Sequence, residues 1–286
     1  MDLIFSLFIN GLATGMLIFL LAAGLTLIFG LMHVLNFAHG GLFIWGAFAG
    51  VWSYHLSNSF VLGIGVAIVT GVLLGLITEK LIIRPVYGNT IQQILITLGF
   101  MLVLQEMIKV VFGPDQKAVS PPEYLQSSFM LGDVILIKYR LFIIAVGILI
   151  FLIATFILKR TRIGLIVRAG VMDQEMVQSL GINIKLVFMS VFMVGSALAA
   201  LSGMLHAPYS GVIYAEMGLE FSILAFIVVV IGGMGSFTGS LLAAILVGLA
   251  QAFMAYYVPS LSLAVNMLLM VVVLIFRPQG LFKVKE

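Results

Sequence analysis

The chain has 286 residues, 63% of them hydrophobic and 9% charged, with a formal net charge of +3 and a mean hydropathy of +1.26. That composition excludes a soluble globular domain, and so small a charge excess, scattered along the chain, does not point to a nucleic-acid partner. The absence of cysteine excludes disulfides, cysteine-zinc sites and thiol catalysis.

From Leu3 to Thr78 there is no Asp, Glu, Lys or Arg. As helix, that run is about 110 Å long, enough for three or four crossings of a ~30 Å hydrocarbon layer. Backbone polar groups in lipid must be paired within helices or closed barrels. The fold class that follows is an all-α polytopic membrane protein. The first basic residue is Lys80, so no basic start marks a cleavable signal, and the first span is expected to stay as an anchor. Apolar stretches predict nine spans, at 5–29, 41–57, 61–78, 91–112, 140–158, 187–207, 219–232, 240–257 and 260–276, with eight or ten as alternatives. The short stretch 219–232 and the Gly-rich region 30–41 are where a half-helix or re-entrant segment would fit. A single transmembrane domain over 1–286 is expected, with an outer loop at 113–139 and a polar segment at 159–185.

Within the uncharged region, Asn36-Phe37-Ala38-His39-Gly40-Gly41 stands out. Asn and His are costly in hydrocarbon, and adjacent glycines let the backbone turn or approach another helix. One reading is a broken helix lining a solute path; the other is an interfacial turn with Asn36 capping the next helix. Thr26, Asn36 and His39 are the candidate path residues. Glu79 and Arg84 flank the inner end of span three, as interface anchors or as contacts of the 159–185 segment. Glu106 and Lys109, three apart, are placed to meet on one helix face. The outer loop contains GPDQKAVSPPEY, whose prolines favour a turn-rich cap over a helix.

The polar island KRTRIGLIVRAGVMDQEMVQSLGINIK, Lys159 to Lys185, lies between two spans and carries five Lys and Arg. A basic segment of this kind belongs on the cytoplasmic side. Its middle, Ile163 to Leu180, predicts a surface helix stopped by Gly181. With the island inside, Lys80, Arg84, Arg277, Lys283 and Lys285 are inside too, and only Lys109, Lys117, Lys138 and Arg140 are outside. Nine spans then place Met1 outside. His206, ending span six, reads as a polar pore residue or as a satisfied structural one. The second Gly-rich break, Gly232, Gly233, Gly235 and Gly239, lacks the Gly-Lys-Ser/Thr ending of a phosphate loop and reads as a tight cytoplasmic turn. No His, Asp and Glu cluster has metal spacing. A faint echo links the stretch ending in Ile82-Ile83-Arg84-Pro85 with the one ending in Ile275-Phe276-Arg277-Pro278, each running span, Gly-rich break, two spans, Arg-Pro. Generic membrane composition produces such echoes as well.

Several pieces in order carry a resemblance. They are GLTLIFGLMHVLNFAHG (Gly24–Gly40), Glu79 with Arg84-Pro85, and Gly164, Arg168, Ala169, Asp173, Gly181, Ile182 and Asn183 of the island. Tyr209-x-Gly211-Val212-Ile213, VIGGMGSFTG (Val230–Gly239) and Arg277-Pro278-x-Gly280 complete the set. With these the chain resembles the branched-chain amino acid ABC transporter permease family over nearly its whole length. The resemblance implies a type II importer-like permease of the bacterial inner membrane that pairs with a second homologous permease subunit. Two ATPase subunits would dock on the cytoplasmic face and hold ATP and magnesium, so that no cofactor is expected on this chain. An extracytoplasmic solute-binding protein would deliver the solute, and membrane lipid would surround the spans. Gly164, Arg168, Ala169, Asp173, Val177, Gly181, Ile182 and Asn183 then correspond to the segment that couples to the ATPase. Three positions depart from what members often carry: Gly41 where an acidic residue follows NFAHG, Val177 where Ala stands, and Thr238 where Pro stands. The implied solute is a small zwitterion with an apolar side chain; urea and short amides are carried by relatives. A secondary transporter or channel, and a non-transporting scaffold, are the rival classes. The first would want buried ionisable groups, and the predicted spans hold almost none.

Overall fold

The long apolar stretches are helical in the computed structural model, which describes residues 2–131, 134–172, 174–262 and 264–282. In chain order the elements are α1 (Asp2–Met32), α2 (His39–Ser57), α3 (Phe60–Ile77) and α4 (Thr90–Phe112). A strand β1 (Lys117–Ala118), a turn α5 (Glu123–Gln126) and a hairpin β2 (Ser128–Leu131) and β3 (Val134–Ile137) lead to α6 (Lys138–Arg160). Then come α7 (Arg162–Met172), α8 (Gln174–Ser179), α9 (Ile184–Ser210), β4 (Val212–Ile213), α10 (Met217–Gly232), α11 (Phe237–Tyr257) and α12 (Val265–Phe276). Side-chain oxygens cap several starts: Ser59 accepts from Leu62 N, Asn89 from Gln92 N, Asn183 from Leu186 N and Ser236 from Gly239 N.

Each of the nine expected stretches falls on a helix, but the helices are unequal. Six, within α1, α3, α4, α6, α9 and α11, are long and apolar enough to cross a membrane. The helix α2 has 19 residues and is interrupted by polar and small side chains. The helices α10 and α12 have 16 and 12 residues; at 1.5 Å per residue they reach about 24 and 18 Å, short of a ~30 Å layer.

The helix α1 is the axis of the fold. Its most apolar window is 83% buried within the protein, against 11% for that of α6. It packs on α11 along one side and on α9 along the other, and α9 carries α2 and α3 on its far face. The outer faces of α3, α4, α6 and α12 present Val61, Leu73, Leu95, Val110, Leu152, Phe156, Ile275 and Phe276, as lipid-facing helices do. The α2–α10 crossing is a backbone contact: a methyl placed on Gly40 would overlap the carbonyl oxygen of Gly218.

On the expected outer side, β1 pairs with β4, Lys117 opposite Ile213 and Ala118 opposite Val212. The loop is thus a turn-rich cap with short strands. The Lys109 ammonium lies 2.9 Å from both Glu106 and Glu216, which ties the end of α4 to the residue before α10 and holds the Glu216 carboxyl below its usual range. The predicted Glu106–Lys109 pair is therefore present, with a third member the sequence did not offer. His206 packs against the rings of Phe43 and Phe221. The echo of Arg-Pro stretches reaches the order of elements but not their geometry, because the first break runs through the core and the second is a tight turn.

Gly41 explains one departure from its relatives' pattern. A Cβ there would lie 2.6 Å from Leu104 Cδ1 and 3.2 Å from Met101 Sδ, where α2 packs on α4. An acidic residue has neither room nor a counter-charge. Gly41→Asp is expected to cost at least about 2 kcal/mol, read as a lowered melting temperature of the purified protein. An unchanged melting temperature would mean that α2 and α4 are not in contact there.

Candidate translocation and coupling sites

The first site is the break between α1 and α2. The helix α1 ends where His33 turns into the left-handed region (φ 52°), and residues 34–38 run without regular structure through the interior. Residues 37–38 turn into α2, His39 N donating to Asn36 O. The His39 Nε2 donates to Leu21 O at 3.0 Å, and Leu21 stands eleven residues, about 16 Å, before the end of α1. The helix α2 therefore starts at mid-depth. Asn36 is 2% exposed and His39 fully buried, so the break is enclosed by the protein.

Extended backbone in a dry interior needs partners for its polar groups. Neighbouring helices supply them: Phe37 N donates to Thr97 Oγ1 of α4 at 3.2 Å, and Ser222 Oγ of α10 donates to Phe37 O at 2.7 Å. Asn36 Oδ1 accepts from Ala38 N at 3.1 Å, a local turn just ahead of α2. Thr97 and Ser222 were not singled out from sequence; a lone hydroxyl in an apolar helix was the available signal. Thr26 is placed differently from Asn36. Its hydroxyl meets Ala22 O and, at 2.6 Å, Ser240 Oγ across the α1–α11 contact.

A narrow cleft with only about 10 Å³ of free room runs from this point toward the turn after α10, walled by Leu25, Phe29, Leu35, Asn36, Phe226 and Val229 among others. Of the three candidate path residues, Asn36 lines it.

The second site is the polar island. Thr161 caps α7, its hydroxyl accepting from Gly164 N at 3.3 Å. Where one helix over Ile163–Leu180 was expected, the described residues form α7 and α8; Asp173 lies outside them. Gly181 ends α8 at φ +81°, as the sequence required, and Asn183 caps α9. The segment is amphipathic. Val167 and Val177 are buried, and Gly170 touches Leu31 of α1 and Ile184 of α9. Ala169 and Ile182 are half-buried, while Arg168 is exposed with its Nε on Gly164 O. Three large apolar side chains missed from sequence face outward beside Arg168: Ile163, Leu165 and Leu180, at 65%, 61% and 74% exposure. That is unusual for a segment outside the spans.

Beside it, α3 runs into a π-helical turn (Thr78–Ile83). Glu79, fully buried, accepts from Arg84 Nε at 3.1 Å and Nη2 at 2.8 Å, and from Tyr87 Oη at 2.7 Å. Burial and that hydrogen bond push the Tyr87 phenol above its usual range, so it stays a donor. The Tyr87 ring stands edge-on to Phe188, one turn into α9. The third site, the Gly-rich break, is a tight turn in which the backbones of Gly232 and Gly239 touch. Gly233 and Gly235 have positive φ. The tail closes it, Leu281 N and Phe282 N donating to Ile231 O and Gly232 O. Among the described residues no three His, Asp or Glu side chains gather as metal ligands.

Residues 7–276 match the model of a family described as the permease component of branched-chain amino acid transport systems. The chain belongs to this family. The permease is 29% identical over 289 residues to the high-affinity branched-chain amino acid transport system permease protein BraD of Pseudomonas aeruginosa, covering 96% of this chain and 94% of BraD. It is 34% identical to the corresponding permease protein LivM of Escherichia coli over 111 residues, 38% of this chain and 26% of LivM. Among solved structures it shares its fold with PsaBC of Streptococcus pneumoniae, with a TM-score of 0.53, 16% identity, and 94% and 91% of the two chains covered. The permease is thus a multi-pass membrane protein.

Proposed function

We propose that this chain is the membrane-spanning permease subunit of an ATP-driven uptake system for branched-chain, apolar amino acids. The observation that carries the reading is the family match over 7–276, which takes in the buried break and the island alike. BraD, similar from end to end, is named for branched-chain amino acid transport. In this reading the nine apolar spans form a type II importer arrangement, all of it one domain with Met1 outside, α10 and α12 being too short to cross the layer as helix alone.

The island is the lever. Exposed Ile163, Leu165 and Leu180 with Arg168 offer an apolar, basic surface to a groove on an ATPase, and the buried side passes displacement to α1 and α9. Asp173 belongs to the same surface by sequence. ATP and magnesium are held by two such ATPase subunits; an extracytoplasmic binding protein delivers the solute to the outer cap. Similarity to both BraD and LivM supports pairing with a second permease subunit. The Gly-rich turn closes the cytoplasmic end of α10.

A self-powered transporter finds no support in the buried charges. Glu79, the fully buried carboxylate among the described residues, is held by Arg84 and Tyr87.

The test is uptake of labelled leucine into vesicles holding the full complex and its binding protein. Accumulation should require ATP and the ATPase subunits. Uptake that persists without them, or none under any condition, overturns the reading.

A further inference from the structure

The cleft below α2 has an unused hydrogen-bond donor at its head. Asn36 Oδ1 is committed to Ala38 N, which fixes the amide's orientation and makes the other atom the NH₂ group. That Nδ2 is buried and has no partner, in a residue 2% exposed. An orphaned buried donor costs about 1–3 kcal/mol, so a structure that keeps one calls for a reason. The rest of the surroundings is selective. Below Asn36 the walls are Leu25, Phe29, Phe226, Val229 and Met234, with Ser222, whose hydroxyl is held by Phe37 O, the other polar residue of the lining. Above it, α2 begins within two residues, and the first turn of α10 crosses it at Gly218. The N-terminus of α2, which carries partial positive charge, thus lies next to Asn36, a recurrent way of holding an anionic solute group at a broken helix.

We propose that Asn36 receives the carboxylate of the transported amino acid, with the N-terminal turn of α2 behind it and the apolar walls of the cleft taking the side chain. The proposal rests on the uptake reading above and names the subsite that reading lacks. An anionic head with an apolar tail suits the free donor at one end of this cleft and the apolar walls below it. The cleft has room for little more than one water between its walls in this conformation. The solute therefore occupies it only when α10 parts from the 34–38 segment, and the Ser222–Phe37 bond is the contact that must break.

The chain has no cysteine, so a Val229→Cys variant carries one thiol, halfway along the cleft. In the reconstituted complex, modification of that thiol by a maleimide is followed by mass on this chain. Saturating L-leucine should slow it at least fivefold, and 3-methylbutylamine, which is leucine without its carboxylate, should not. Asn36→Asp keeps the acceptor for Ala38 N and replaces the donor with an oxygen. It should abolish the protection and lower leucine uptake at least tenfold. The protection measurement stands even where Asn36→Asp fails to assemble, because it is made with Asn36 intact. Equal protection by leucine and the amine, or none by either while the complex still accumulates leucine, overturns the assignment and leaves the uptake reading standing. A complex that accumulates no leucine at all overturns that reading instead.

Discussion

A Val177→Pro permease is expected to insert, to assemble with its partners and to accumulate essentially no solute. Val177 is 3% exposed in α8. Proline there removes a backbone donor and clashes with the preceding turn, about 3 kcal/mol. The Ile182 N to Val177 O contact that closes the segment against α9 would be lost with it. ATP hydrolysis would then no longer respond to solute-loaded binding protein. Reversing the exposed charge with Arg168→Glu should weaken the same coupling through docking alone. Measured together, uptake and stimulated hydrolysis separate the two effects. Wild-type uptake by both variants would remove the island from the power path.

The second large effect is expected at Glu79. Glu79→Ala leaves Arg84 and Tyr87 without their shared acceptor in a site where Glu79 itself is fully buried. Losing one partner of a buried pair costs about 3–5 kcal/mol. Arg84, 32% exposed at its side chain, can turn toward water and keep the cost near the lower bound. Glu79→Gln retains the shape and an acceptor for Tyr87, so its melting temperature should fall between those of Glu79→Ala and the unaltered chain. Should the alanine variant melt like the unaltered chain, the network carries no stability and Tyr87 does not fasten the end of α3 to α9.

The helices were legible in the sequence because lipid imposes a single rule, and long uncharged runs obey it. Which of them sits at the centre was not. Residues of α1 and α6 read alike as apolar, and only packing separates an axis from a lipid-facing wall. The break at Asn36–Gly41 was visible as polar and small residues in an uncharged run, with two readings open. Its enclosure by other helices was not legible, because the partners of Phe37 come from Thr97 and Ser222, 60 and 185 residues along the chain. Local signals do not encode such distances. In the island, Gly181 and Asn183 did what their types suggest, whereas the outward turn of Ile163 and Leu165 depends on what α1 and α9 cover. Glu79 and Arg84 were seen as anchors; Tyr87, the third member, is an ordinary residue until the π-helical turn brings it round.

The tail segment that closes the second Gly-rich turn has a bearing on biosynthesis. The last carbonyls of α10, at Ile231 and Gly232, accept from Leu281 and Phe282, fifty residues downstream. A nascent chain emerging in order cannot seal α10 when that helix leaves the ribosome; its lower end stays ragged until α11 and α12 have followed and the tail swings back. The permease therefore locks late, and a ribosome stalled anywhere in that interval holds a chain whose cleft has only one finished wall.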